Sequence, residues 1–166
     1  MNLKRMLQNL FCVLTAFCFS LIFVSCDSNR IYELNYDLEG AYWHADSIKS
    51  FEFNIDDQAE SYNLSFNLRN GLEFPHSNIY ITYLLEDSMG NVLEKELRDF
   101  QLFYPKNGYP KGSGVGGLYE HEFQLLLGYQ FTKAGKYRMN LRQFMRYDSL
   151  PETYSVGFRV EKMDGN

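Results

Sequence analysis

The side chains able to bind a metal, attack a carbonyl or carry a proton near neutrality are few in this chain. His44, His76 and His121 are its only histidines. A zinc site needs three or four nitrogen, sulfur or carboxylate ligands in restrained geometry, and no two of these histidines stand at the spacing of a metal motif. They read as hydrogen-bonded loop or sheet residues, with no metal and no other cofactor expected. No serine lies in a Gly-x-Ser-x-Gly context, the elbow that exposes a nucleophilic hydroxyl. Asp56-Asp57 falls in a predicted turn, and Asp87 to Asn91 is too short for an EF-hand loop. Lys111-Gly112-Ser113-Gly114-Val115-Gly116-Gly117 has the composition of a phosphate loop but the wrong order: its lysine precedes the glycines instead of following them. It reads as a sharply turning or flexible loop between strands, the kind of segment that carries binding residues. No nucleophile, base and orienting group come together, so no catalytic residue and no enzyme activity are expected.

One reactive group remains. Lys4 and Arg5 are the only charges in the first 25 residues, and Leu10 to Val24 is almost wholly apolar. That run of about 15 residues is shorter than the roughly 20 needed to span a bilayer. A basic end and a short apolar run make a secretory leader, and Ser25-Cys26 closes it with a small residue and a thiol. Segments of this shape resemble lipoprotein signal peptides, in which the cysteine is diacylated and becomes the first residue of the mature chain. Phe23 stands where such signals usually carry leucine. Cys12 and Cys18 leave with the leader, so Cys26 has no disulfide partner in the mature chain. An exported domain without disulfides draws its stability from its core. The expected organisation is a leader over 1–25, a lipidated tether over 26–40 and a domain over 41–166. The expected location is the cell envelope, on the periplasmic side of the outer membrane. Removing Lys4 and Arg5 from the 16 basic residues leaves 14 against 21 acidic ones, a net charge of −7. That balance argues against nucleic acid and against electrostatic attachment to anionic lipid; the acyl chains are the anchor.

The elements that must position any site alternate with a period of two, the signature of a strand with one buried face. Phe51, Phe53 and Ile55 alternate with Glu52 and Asn54; Tyr62, Leu64, Phe66 and Leu68 with Asn63, Ser65 and Asn67. Tyr137, Met139 and Leu141 form a third set, and Tyr154, Val156, Phe158 and Val160 a fourth. Ile79–Leu85 and Val92–Phe103 read as a hairpin across the polar turn Asp87-Ser88-Met89-Gly90-Asn91. Glu122–Phe131 fits a strand, though Leu125-Leu126-Leu127 breaks the alternation and would also suit a helical turn. The fold class is therefore all-β, a single antiparallel β-sandwich, Ig-like or jelly-roll-like. Phe51, Phe53, Leu64, Phe66, Met139, Leu141, Val156 and Phe158 are predicted in its core. Trp43, the only tryptophan, is expected in the core also; exposed beside several tyrosines it would instead mark a sugar-binding face.

From here the chain is identified by resemblance. Cys26-Asp27-Ser28-Asn29-Arg30, Trp43-His44-Ala45-Asp46-Ser47, Leu68-Arg69-Asn70 and Phe74-Pro75-His76-Ser77-Asn78-Ile79 are similar to the gliding-motility lipoprotein GldH family. So are Gly112-Ser113-Gly114 with Leu118-Tyr119-Glu120-His121, Gln143-Phe144-Met145-Arg146, and Val156-Gly157-Phe158-Arg159-Val160-Glu161. His76 departs from an expected aromatic residue and Gly117 from an expected acid. The resemblance implies a membrane lipoprotein needed for surface gliding, acting with other motility lipoproteins linked to a secretion system, and it carries over no catalytic residue. The expected role is an interaction or assembly protein of the envelope. The alternative is a lipoprotein that binds carbohydrate or another ligand. The loops Phe74–Asn78 and Lys111–Tyr119 are the expected partner surface, with Phe74, Pro75, His76, Lys111 and Tyr119 as its residues.

Overall fold

The alternating segments become long strands paired across two sheets in a computed structural model that describes residues 29–163. The expected leader and the acylated Cys26 lie outside the described residues. The strands are β1 (Arg30–Asp37), β2 (Trp43–His44), β3 (Lys49–Ile55), β4 (Tyr62–Gly71), β5 (Asn78–Asp87) and β6 (Val92–Gln101). They continue with β7 (Ser113–Val115), β8 (Leu118–Tyr129), β9 (Gly135–Gln143), β10 (Ser149–Leu150) and β11 (Thr153–Lys162). A 3-10 turn at Glu39–Ala41 is the only helical element among the described residues.

One sheet runs β1-β11-β4-β8-β7 and faces a second, β3-β9-β5-β6; β2 and β10 form a small ladder at one end. The long strands pair first with last: β1 with β11, β3 with β9, β4 with β8 and β5 with β6, all antiparallel. A hairpin nested in this way and rolled upon itself is the jelly-roll order. Of the two expected sandwich topologies, the strand order selects this one.

All eight predicted core residues are buried. Phe158 packs against Phe51 and Phe53 with ring centroids 5.7 and 5.4 Å apart, which joins the two sheets across the middle of the sandwich. Trp43 is fully enclosed, 6.3 Å from Phe66, and its indole N–H donates to the Ser47 carbonyl at 2.9 Å.

Two expectations need correction. Residues 26–40 are not all tether: from Arg30 the chain is β1, paired with β11 along its length. Tyr32 packs on Phe53 at 5.9 Å, and Tyr36 packs on Phe51 at 5.1 Å and donates its hydroxyl to the Ser50 carbonyl. The domain therefore begins before residue 41. Second, the glycine segment is a short strand and a sharp turn, not a flexible loop. Ser113–Val115 is a strand, and Gly116-Gly117 turns it into β8 with φ of +68° and +85°. Both central residues of a type I′ turn need positive φ, which glycine supplies without steric cost. A Cβ on Gly114 would lie 1.9 Å from the Leu118 carbonyl oxygen, so the close approach of the two strands also depends on glycine. Leu125-Leu126-Leu127 lies within β8, the strand expected over that segment, and the alternative of a helical turn falls away. The register of β4 on β8 shifts on both sides of Leu64, and a bulge of this kind breaks the alternation without ending the strand.

Candidate partner interface

Antiparallel pairing fixes which loops share an end of the sandwich. Arg30 is opposite Glu161, Tyr62 opposite Lys162 and Tyr129, Ile55 opposite Gly135, and Asp87 opposite Tyr137. Tyr32 over Phe53 and Tyr36 over Phe51 align the two sheets. The start of β1, the loops 56–61 and 130–134 and the turn 88–91 therefore lie at one end. The loops 38–48, 72–77, 102–112 and 144–152 and the turn 116–117 lie at the other, and the two expected binding segments fall within or beside them.

Backbone hydrogen bonds make these loops one unit. The Leu72 N–H donates to the Gly117 carbonyl at 2.9 Å, those of Leu102 and Phe103 to the Ser77 carbonyl at 2.8 and 3.0 Å, and that of Lys111 to the Leu102 carbonyl at 2.8 Å. The five expected residues fare differently within it. Phe74 is 7% exposed and belongs to the core, so its ring anchors the loop from below and is not offered to a partner. The Phe74 N–H donates to the Gly71 carbonyl, and this tight turn aims the ring inward. Pro75, His76 and Lys111 are exposed, and Tyr119 is half-buried on β8. His76 meets Tyr147 edge-on at 5.5 Å. The Lys111 ammonium lies 5.3 Å from the centre of the Tyr104 ring, a cation–π contact.

Residues that sequence reasoning did not single out complete the surface. Val115 is 90%, Tyr109 67% and Phe144 60% exposed at this end. His76, Tyr80, Leu97, Phe144, Met145 and Tyr147 border a groove of about 440 Å³ with a mainly apolar lining. Gln143 holds the segment that carries Phe144. It is buried, donates from Nε2 to the Tyr147 carbonyl at 2.8 Å and accepts the Met145 N–H at 2.7 Å. The available signal was Phe144-Met145 directly after the last alternating pair of β9.

The histidines occupy separate surroundings. The His44 Nδ1 lies 2.6 Å from the Ser149 hydroxyl. His121 is buried, stacked on Phe123 at 5.4 Å, and its Nε2 has no hydrogen-bond partner. Burial pushes its pKa down to about 4, so it is neutral at physiological pH. Among the described residues no group of three His, Cys, Asp or Glu side chains is placed to hold a metal ion.

A second concavity lies on the outer face of the β1-β11-β4-β8-β7 sheet, with a volume of about 350 Å³. Gly157 lies between Asn35 and Asn67: a Cβ there would lie 1.7 Å from the Asn35 Oδ1, so the Asn35 amide covers the glycine. Asn67 stands beside it with its Oδ1 buried and unpaired. Arg69 pairs with Glu120, and Arg159 with Glu33 and Glu161. Asp37 and Glu122 also line it, so four carboxylates stand against two guanidiniums, and the groove is a net-acidic set of hydrogen-bonding groups. Trp43 is not on this face. Arg138 and Arg142, on the outer face of the other sheet, are engaged by Glu52 and by the Ala45 carbonyl.

A sequence model described as GldH lipoprotein matches residues 30–160. The chain is 32% identical to a gliding motility lipoprotein GldH homolog of Christiangramia forsetii, over 89% of this chain and 94% of that one. It is 27% identical to the gliding motility lipoprotein GldH of Flavobacterium johnsoniae, over 87% of this chain and 92% of that one. Among solved structures, infectious bursal disease virus of the Gx strain is similar at 14% identity and a TM-score of 0.43, covering 85% of this chain and 34% of that one.

Proposed function

The chain belongs to the GldH lipoprotein family, and from that premise we propose that it is a non-catalytic interaction or assembly component of the cell envelope. It is held by acyl groups on Cys26, on the periplasmic side of the outer membrane, and works beside other motility lipoproteins. The observation that carries this reading is the family match over nearly the whole domain, joined to a sequence that places one cysteine directly after an apolar leader. The hydrogen-bonded loop surface at the end away from Arg30 is the proposed contact, with Pro75, His76, Lys111 and Tyr119 taking part and the Phe144 groove beside them. The test has two arms. Metabolic labelling with a clickable fatty acid should mark the wild-type chain and not Cys26→Ala. A tagged wild-type chain, solubilised from membranes, should recover envelope lipoproteins that a His76→Ala/Lys111→Ala chain recovers poorly. Equal labelling sinks the anchor, and equal recovery sinks the contact.

A second reading is favoured by the polar groove beside Asn35 and Asn67, whose amides and paired charges suit a ligand rich in hydroxyl groups. Binding of glycans by the wild-type chain and not by Asn67→Leu would support it.

A further inference from the structure

We propose that the end of the sandwich carrying the start of β1 faces the bilayer closely, with the loops 56–61 and 130–134 and the turn 88–91 at the headgroups. The candidate partner interface is thereby held away from the lipid. The proposal rests on acylation at Cys26 and adds to it an orientation.

The reason is the shortness of the chain between lipid and fold. The Asn29 carbonyl accepts the Lys162 N–H at 2.8 Å, so the polypeptide is fixed to the sheet from Asn29 onward. Only Asp27 and Ser28 separate Asn29 from Cys26. Three residue steps reach at most about 11 Å, whatever conformation they take. The acyl chains must lie in hydrocarbon, and the headgroup layer on each side is roughly 5–8 Å thick. Asn29 is thus confined to the headgroups or their immediate surface. The opposite end is a strand length away: ten residues of β11 extend about 33 Å.

The surface at the Arg30 end suits that position. Met89 at the tip of the β5–β6 turn is 77% exposed, Leu127 70% and Met163 44%. A Cβ on Gly128 would lie 3.5 Å from the Met163 sulfur, so Met163, next to the Lys162 that binds Asn29, reaches to β8 at this end. Arg30, Lys133, Lys136 and Lys162 stand there with Asp56, Asp57, Glu60, Asp87 and Glu161. The basic side chains among them can meet headgroup phosphates, while the tether, and not charge, sets the orientation.

The acylated full-length protein can be reconstituted into vesicles of phosphatidylethanolamine and phosphatidylglycerol that carry a headgroup energy acceptor. A donor dye is placed, through a clickable amino acid, at Met89 or Gln130 in one pair of samples and at His76 or Val115 in another. Transfer should be several-fold more efficient from Met89 and Gln130. A long Gly-Ser insert between Ser28 and Asn29 should erase the difference. Flotation on a density gradient separates the two ways to fail. If the wild-type chain does not float, or Cys26→Ala floats equally well, the anchor is wrong and the orientation falls with it. If the wild-type chain alone floats but transfer is equal at both ends, the anchor stands and the orientation is overturned. A difference that survives the insert also overturns it, because the short tether is then not its cause.

Discussion

Replacing Phe66 by alanine removes a ring that lies wholly inside the sandwich, on the strand between β11 and β8. Trp43, Phe100 and Phe123 surround it, with centroids 6.3, 6.0 and 6.0 Å away. Burying a ring of this size is worth about 2–3 kcal/mol. The neighbours belong to both sheets and to β2, so they cannot all collapse into the space, and the cavity adds to the loss. Together these give about 3–5 kcal/mol. A domain of this size has a total stability of about 5–15 kcal/mol, so the variant loses about a fifth or more. Its melting temperature should fall by about 10–15 °C. The assay is urea unfolding of the lipid-free chain from Asp27, followed by far-UV circular dichroism and by the fluorescence of Trp43, the only tryptophan. Phe66→Leu, which keeps most of the volume, should lose about 1–1.5 kcal/mol. A loss below about 1 kcal/mol for Phe66→Ala, with an unchanged slope against urea, would refute the placement. A one-residue slip in β4 turns its whole apolar set outward, and that is the error such a result would expose.

His121 is held neutral by burial, with a folded pKa of about 4 against 6.5 when free. The unfolded chain therefore takes up more protons at this site between those values, so the histidine's contribution to stability should fall as pH drops through that window and stay constant below it. His121→Phe should show a shallower fall by differential scanning fluorimetry, and parallel curves would mean that the histidine is not held neutral. Gly114→Ala drives a Cβ against the Leu118 carbonyl; a loss of about 1–3 kcal/mol is expected, with faster amide exchange over residues 113–115. Unchanged exchange there would contradict the hairpin. His76→Ala and Lys111→Ala remove exposed side chains and should alter stability by no more than about 0.5 kcal/mol, while Phe74→Ala should cost about 3 kcal/mol or more. Thermal melts of the three variants decide whether the loop has an outer face and a buried anchor.

The strands that were legible are those with one face fully enclosed. Phe51, Phe53 and Ile55 are buried while Glu52 and Asn54 are exposed, so composition and burial carry the same period. Where that correspondence weakens, so does the reading. In β1 the inward side chains Leu34 and Tyr36 remain 39% and 37% exposed because the strand forms a sheet edge. The sequence Ile31-Tyr32-Glu33-Leu34 reads as linker beside stronger patterns. In β7 glycine leaves no side chain to alternate, though Gly-Gly between two short apolar pairs is itself a hairpin signal. The Phe74-Pro75 turn was legible as a turn, but turn chemistry does not say which way a ring points. Its direction is set by the Gly71–Phe74 hydrogen bond and by space in a core that only the assembled sheets define.

The site depends on the fold in a further way that makes the missed strand matter more than its length suggests. When every long strand is antiparallel to its neighbour, successive connections alternate between the two ends of the sandwich. The end on which a loop lies is then a question of parity, counted from the point where the chain is anchored. Counted from β3, the tether would enter beside Lys49, which is paired with Leu141 at the end bearing the His76 and Lys111 loops. Those loops would then crowd against the lipid. Counted from β1, the tether enters beside Arg30, opposite Glu161, and the same loops stand a strand length clear of the membrane. One additional edge strand therefore inverts which surface a partner in solution can reach. The ladder to β11 and the packing of Tyr32 and Tyr36 on the core phenylalanines hold that strand in the fold, so the proposed orientation of the candidate interface rests on residues outside it.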